Sequence, residues 1–277
     1  TIKIKGSEVA RGEIIPEHYM AMNPAGQLDG MEGIPAKEPA FGLPALWIRN
    51  EYRDKAEAMG YTVVDPVSVI ATHLTEILRT HGYELLGRQD VKTLLDQVRQ
   101  NAAALVEEVT PKLLSIGEIQ KVLVNLLKEG IPIRDLITIL ETLGDYAGIT
   151  RDIDMLTEYV RQSLKRTITR KYVQDGVIHV ITMDTSLEDA ILKSIQHTQH
   201  GSYISMDPDH ARSILDSCSK EILKVTAQGY EPVILTAPVL RIHLKRFLEQ
   251  AAPEAIVLSF NEIEQWVQLK AVGIIKN

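Results

Sequence analysis

The stretch from Tyr61 to Gly82 constrains the fold most, because a strand pattern changes into a helix pattern there within a few residues. Residues 61–64 are all β-forming, whereas Asp65 and Pro66 suit a helix cap and a first helical turn. Apolar residues then recur at spacings of three and four, which predicts an inward-facing helical stripe. The stripe comprises Val67, Ile70, Ala71, Leu74, Ile77 and Leu78. Gly82 is a candidate helix stop.

A compact turn follows at 83–89, and it mixes apolar with charged side chains. Its members are Tyr83, Glu84, Leu85, Leu86, Gly87, Arg88 and Gln89. Such a turn after a helix stop should lie near the surface. We therefore treat it as the first candidate recognition surface.

Before this stretch the pattern predicts two N-terminal strands joined by a turn at Gly6, then a loop-rich connection at 16–45 and a short strand at Leu46–Ile48. After it we expect a second helix with its stripe at Val91–Val98, and a loop at 100–110. The segment 111–169 reads as helices, with a capping box at Ser115 and Glu118. The first of these helices is expected to end at Gly130, because Pro132 blocks its continuation, and the second to end at Gly144. A third is expected to begin at about Asp152.

Strand patterns return in the last third of the chain, first at 171–173 and 177–183 around a turn at Gly176. Thr185 and Glu188 are expected to cap the next helix. Asp207 is expected to start the helix after it, and Leu223 is predicted to be among the inward-facing residues of that second helix. Strands and helices alternate from there to the end, which predicts at least one parallel strand pair. The fold class is therefore α/β, in the sense of a mixed α+β chain.

The composition excludes several functional classes. The 277 residues carry a net charge of −7, which disfavours a general nucleic-acid binder, since phosphate contact needs an excess of Lys and Arg. The single cysteine, Cys218, excludes an internal disulfide and a multi-cysteine metal site, and it falls on an apolar stripe. No apolar run reaches the roughly 18 residues of a membrane span. Because the chain opens at Thr1 inside a strand pattern, we expect a piece of a longer protein.

Catalytic motifs are equally scarce. The glycines at 16–45 match neither a P-loop nor a dinucleotide-binding fingerprint, and neither HExxH nor GxSxG occurs. Asp152/Asp154 and Asp207/Asp209 resemble acidic metal pairs, but each pair stands where a carboxylate caps a helix. One enzymatic alternative stays open: a metal site built from His197, His200 and His210. The simpler interpretation is that these histidines belong to a solvent-exposed polar loop.

Ten short strings, in a fixed order, resemble the soluble part of the FHIPEP family of type III export-gate proteins, flagellar branch. They are Ala10-Arg11-Gly12-Glu13, Ala21-Met22-Asn23-Pro24, Pro39-Ala40-Phe41-Gly42-Leu43, Trp47-Ile48, Gly60-Tyr61-Thr62-Val63-Val64-Asp65, Ala71-Thr72-His73-Leu74, Glu84-Leu85-Leu86-Gly87-Arg88-Gln89, Leu126-Leu127, Pro132-Ile133-Arg134-Asp135 and Ile139-Leu140-Glu141. The virulence-type export gates are homologous and form the alternative branch.

The resemblance implies four small subdomains: a discontinuous first (1–61 and 111–130), an inserted second (62–110), a mainly helical third (131–210) and an α/β fourth (211–277). It also implies a parent anchored by an N-terminal membrane half, with this part on the cytoplasmic face of the bacterial inner membrane. The implied partners are export chaperones carrying late substrates, the ATPase complex with its stalk protein, the export-switch protein, and further copies in a nonameric ring. No catalysis, cofactor or nucleic acid is implied.

In the family, chaperones dock in an apolar dimple between the first two subdomains. An acidic-x-x-aromatic pair and a hydroxyl residue line it, and these positions correspond here to Tyr83, Leu86 and Gly117, which all differ from that pattern. Arg88 and Gln89 in the same turn complete the candidate binding set. Without the resemblance, Tyr83 and Leu86 would simply close the end of a helix.

Overall fold

The computed structural model describes residues 1–23, 30–198 and 201–276, with the backbone alone at 197, 198 and 201. These residues form two compact units, Thr1–Gly87 and Arg88–Asn277. The mixed α/β class predicted from the sequence is confirmed. Part of the predicted 16–45 loop, residues 24–29, lies outside the described residues, as does His200.

The first unit is built on a four-stranded antiparallel sheet. The strands of this unit are β1 (Ile2–Ile4), β2 (Ser7–Ala10), β3 (His18–Met22), β4 (Ile34–Lys37), β5 (Pro44–Arg49) and β6 (Thr62–Val64), of which β3 to β6 form the four-stranded sheet. The predicted N-terminal hairpin is confirmed by the β1–β2 pair, and the sheet order is β4-β5-β3-β6. Two strands of this sheet fall inside the segment predicted as a loop-rich connection, so that prediction was wrong for β3 and β4. The many Pro and Gly residues around them concealed the two short strands.

Two helices cover the faces of this sheet, α1 (Arg53–Ala58) and α2 (Pro66–His81). Ala56 joins the core on one face, and Val69 joins Met20 and Trp47 on the other. Asp65 caps α2 as predicted, because its Oδ1 accepts hydrogen bonds from the backbone N–H groups of Val67 and Ser68, both at 3.0 Å.

The apolar stripe of α2 is not buried as predicted. Val67, Ile70, Leu74 and Leu78 are exposed by 74%, 50%, 44% and 48%. The buried positions are instead Val69 and His73, four residues apart, so α2 meets the sheet through a different and narrower face. The helix does end at His81, but Gly82 has an ordinary φ of −57° and leads into a 3-10 turn over Gly82–Leu85.

The second unit begins with a helical region. Its helices are α3 (Arg88–Arg99), α4 (Ala103–Glu108), α5 (Ile116–Lys128), α6 (Leu136–Ala147), α7 (Ile153–Ser163) and α8 (Lys165–Tyr172). The capping box at Ser115 and the cap at Asp152 are confirmed. Three sequence predictions were wrong here: α4 occupies the expected loop, α6 continues through Gly144, and the expected strand at 171–173 belongs to the end of α8. Tertiary packing, such as that of α4 against α3 and α6, outweighs these local signals.

The rest of the second unit is a parallel sheet with flanking helices. The elements are β7 (Val177–Met183), α9 (Thr185–Lys193), β8 (Ile195–Thr198), β9 (Gly201–Ile204), α10 (Pro208–Ala227), β10 (Val233–Thr236), α11 (Pro238–Leu248), β11 (Ile256–Ser259) and β12 (Gln268–Ile275). The sheet order is β11-β10-β7-β12 with every pair parallel, which confirms the predicted parallel pairing. Asp184, not Thr185, caps α9, and Leu223 on α10 is 69% exposed rather than inward.

The division into four subdomains stays a prediction. Its last boundary, between residues 210 and 211, falls inside α10. This boundary would also divide the parallel sheet, because β7 pairs with β10 on one side and with β12 on the other. A boundary just before β7 would keep this sheet whole.

A buried ion cluster fastens the helices of the second unit to its sheet. Arg241 on α11 binds both Glu129 and Glu158, with 2.7 Å between Nη1 and the Oε2 of Glu129. Arg161 on α7 binds Glu262, which follows β11. The burial of Glu129 opposes its ionisation, but the charges of Arg161 and Arg241 outweigh that effect and lower the pKa of its carboxyl.

Candidate functional site

A cavity of about 550 Å³ lies within the second unit, between α3 and the start of α5. We call it the α3–α5 cavity. It is lined by Arg88, Lys92, Leu95, Asp96, Arg99, Thr110, Pro111, Ser115, Ile116 and Gly117. Its volume falls within the usual range for small-ligand or side-chain pockets. Two of the five predicted site residues, Arg88 and Gly117, therefore meet at one cavity.

The geometry at Gly117 explains how these two residues meet. Gly117 is the second residue of α5, and a Cβ built on it would lie 3.3 Å from both Nε and Nη2 of Arg88. The guanidinium group of Arg88, the first residue of α3, therefore occupies the space that a side chain at 117 would enter.

The floor of the cavity is apolar and its wall along α3 is charged. Leu95 is buried and Ile116 is half-buried, whereas Arg88, Lys92 and Arg99 are exposed cations. Asp96, the only carboxylate in the lining, binds Arg99, with 2.6 Å between Oδ1 and Nη1. The lining therefore offers apolar contact together with positive charge.

A capping box closes the N-terminus of α5 at this cavity. The hydroxyl of Ser115 accepts a hydrogen bond from the backbone N–H of Glu118, and the Glu118 carboxylate accepts from the backbone N–H of Ser115. The Ser115 hydroxyl also donates to this carboxylate, and the two bonds that the carboxylate accepts lower the pKa of Glu118, the one from the Ser115 N–H more than the one from the hydroxyl. The full positive charges at the cavity belong to the side chains of α3.

The other predicted site residues lie outside the cavity lining. Tyr83 and Leu86 are half-buried in and after the 3-10 turn of the first unit, where the Leu86 N–H donates to the Tyr83 carbonyl. Gln89 is exposed in the first turn of α3. Leu85, which the sequence analysis did not single out, is the most exposed apolar residue of this turn at 49%.

Among the cavity residues that sequence reasoning missed are Lys92, Leu95 and Arg99 on α3. Their spacings of four, seven and eleven from Arg88 place them on the same face of α3. That spacing was available in the sequence, but the cavity exists only because α5 packs beside α3.

The alternative metal site receives no support from the described residues. His210 lies in the first turn of α10, whereas the side chain of His197 and all of His200 are outside the description. Within the described part of the chain, no three His, Cys, Asp or Glu side chains are grouped as metal ligands would be. Asp152 and Asp207 bind backbone N–H groups at helix starts, as their capping interpretation predicted. None of the helices in the described ranges has the length and apolar character that a membrane crossing needs.

Comparison with known proteins gives a consistent set of similarities. The model of the FHIPEP family matches residues 1–268. The flagellar biosynthesis protein FlhA of Bacillus subtilis is 46% identical over 275 residues, which are 99% of this chain and 41% of that protein. This chain thus spans about two fifths of that relative.

Solved structures share the fold. The Chlamydia pneumoniae CdsV protein, in its complex with CdsO, matches with a TM-score of 0.84 and 31% identity, over 99% of this chain and 79% of that one. The nonameric EscV cytosolic domain from the type III secretion system matches with a TM-score of 0.71 and 26% identity, over 95% and 78% of the two chains.

Proposed function

This chain belongs to the FHIPEP family, and on that premise we propose that it is the docking platform of a flagellar type III export gate. Chaperones carrying late export substrates bind to it, and their binding orders the entry of substrates. The match over nearly the whole chain carries this proposal. The comparison proteins support the flagellar branch over the virulence branch, because identity is 46% to a flagellar relative and 26% to a type III secretion domain.

We assign the docking role to two sets of residues, each within its own unit. One is the turn with Tyr83 and Leu86 in the first unit, and the other is Arg88, Gln89 and Gly117 in the second. The α3–α5 cavity supports the second set, because its lining comes from both 62–110 and 111–130, the two segments between which the family dimple is expected.

The α3–α5 cavity suits reversible binding better than catalysis. Its lining offers apolar contact and cations, while its carboxylate, Asp96, is paired with Arg99 and its Ser115 hydroxyl is held in the capping box of α5. An anchor that buries about 100 Å² of apolar surface gains roughly 2.5 kcal/mol before losses. Such a weak contact permits handover, and repetition in a ring would raise the overall affinity.

The remaining partners belong to the same proposal. A nonameric ring is supported by the nonameric EscV domain, and binding of a second protein by the CdsV complex with CdsO. We extend this to the ATPase complex with its stalk protein and to the export-switch protein. The parent protein would hold the chain at the cytoplasmic face of the inner membrane.

A pull-down tests the proposal directly. The immobilised protein is mixed with a flagellar chaperone alone, with a late substrate alone and with their complex. The proposal predicts that the complex is retained and that the substrate alone is not. Failure of every flagellar chaperone–substrate complex to bind would contradict it.

A further inference from the structure

We propose that the α3–α5 cavity selects an acidic partner segment, one in which a bulky apolar side chain is flanked by carboxylates. The inference rests on the docking function proposed above and specifies the chemistry of what docks. The apolar side chain enters the cavity, and the carboxylates pair with Arg88 and Lys92.

The charge on the cavity wall is the first reason. Arg88, Lys92 and Arg99 project from one face of α3, although the whole chain carries a net charge of −7. Only Arg99 has a carboxylate partner there, Asp96. Throughout the described ranges, neither Arg88 nor Lys92 takes part in an ion pair, so both cations are available to a visiting carboxylate.

The shape of the cavity is the second reason. Leu95 is only 3% exposed and, with Ile116 and Pro111, gives the cavity an apolar interior. A volume of about 550 Å³ leaves room for an aromatic or leucine side chain. A wholly acidic segment would leave this interior unfilled, and a wholly apolar one would leave Arg88 and Lys92 without counter-charges.

Gly117 connects the two features. Because it lacks a side chain, the guanidinium group of Arg88 can lie beside α5, with the Cβ position of residue 117 only 3.3 Å from its Nε. A guanidinium group can bind a carboxylate through two parallel N–H donors. Arg88 is thus placed to fix the carboxylate next to the apolar anchor.

The test compares charge-reversed variants. The R88E/K92E variant is titrated with a flagellar chaperone–substrate complex, beside wild type and the matched control R212E/K220E. Arg212 and Lys220 are exposed on α10, far from α3 in the sequence, so the control makes the same change in net charge. We expect R88E/K92E to bind at least about tenfold more weakly and the control to bind like wild type. We also expect wild-type affinity to fall as salt rises from about 0.05 to about 0.5 M.

The possible results separate this inference from the docking function. If wild type binds the complex, but neither R88E/K92E nor salt weakens binding, the acidic-segment inference is wrong and the docking function stands. Equal loss in the control variant would also contradict it, because net charge would then explain the effect. If wild type binds no complex, both proposals fail. Should R88E/K92E unfold, R88Q/K92Q repeats the test without introducing negative charge.

Discussion

The guanidinium group of Arg88 lies over the α-carbon of Gly117, with 3.3 Å between its Nε and the place that a Cβ at 117 would take. This contact joins the first residue of α3 to the second residue of α5. It holds a cation at the α3–α5 cavity, beside an apolar interior. A change at Gly117 therefore alters the cavity without removing any of its charges.

Gly117→Leu should weaken binding of the chaperone–substrate complex by about tenfold, because the new side chain fills the cavity and displaces Arg88. The fold should tolerate it, since replacing a helical glycine gains up to about 1 kcal/mol in the free energy of unfolding. Titration and thermal unfolding measure the two effects. Gly117→Ala is the control that keeps most of the space, and wild-type affinity in Gly117→Leu would show that the cavity is not used.

Glu118→Gln should lower the free energy of unfolding by about 0.5 kcal/mol at neutral pH, because Gln keeps the capping-box hydrogen bond but removes the negative charge at the N-terminus of α5. The folded protein lowers the pKa of the Glu118 carboxyl below its ordinary value of 4.5. The stabilisation by the carboxylate is therefore present above that value and is lost as pH falls through the lowered pKa. Urea unfolding of both proteins at pH 7 and near pH 3 should show the difference shrinking. A difference that is the same at both pH values would contradict the role of the carboxylate.

Arg241→Met should destabilise the protein by about 3–5 kcal/mol, because it leaves Glu129 and Glu158 buried without their shared cation. Arg246→Ala is the matched control. Arg246 binds Asp154 at the surface, so its loss should cost no more than about 1 kcal/mol. Urea unfolding measures both. Similar losses in the two variants would show that burial does not distinguish these ion pairs.

The thiol of Cys218 should not react in the folded protein. It is fully buried, and burial raises its pKa to about 12, so little thiolate forms at neutral pH. We expect a thiol-reactive chromogenic disulfide to label the protein only after unfolding in urea. Rapid labelling of the native protein would contradict the assignment of Cys218 to the core.

The signals that predicted correctly were local ones. Asp65, Asp152 and Asp207 each bind backbone N–H groups two or three residues ahead, so a short string of residues determines the cap. Which face of α2 is buried could not be predicted from neighbouring residues in the same way. Its apolar stripe had the right period, but packing against Met20 of β3 and Trp47 of β5 buries Val69 instead, and only the packed sheet specifies that contact.

The candidate site shows the same limit. Arg88 and Gly117 were both predicted, one from its turn and one from a family resemblance, but nothing in the sequence placed them side by side. Lys92 and Arg99 follow from Arg88 by helical spacing, once α3 is known to present that face to α5. The depth of the cavity depends on how the two helices pack, which no local pattern reports.

The most direct measurement of the proposed function is a calorimetric titration of a flagellar chaperone–substrate complex into wild type, Leu86→Asp and Leu223→Asp. Leu223 is the matched control because it is exposed on α10. Circular dichroism checks that each variant is folded, and Leu85→Asp repeats the test at the more exposed neighbour. Docking at the turn predicts binding by wild type and Leu223→Asp, and at least about tenfold weaker binding by Leu86→Asp. Undiminished affinity in folded Leu86→Asp and Leu85→Asp would contradict it.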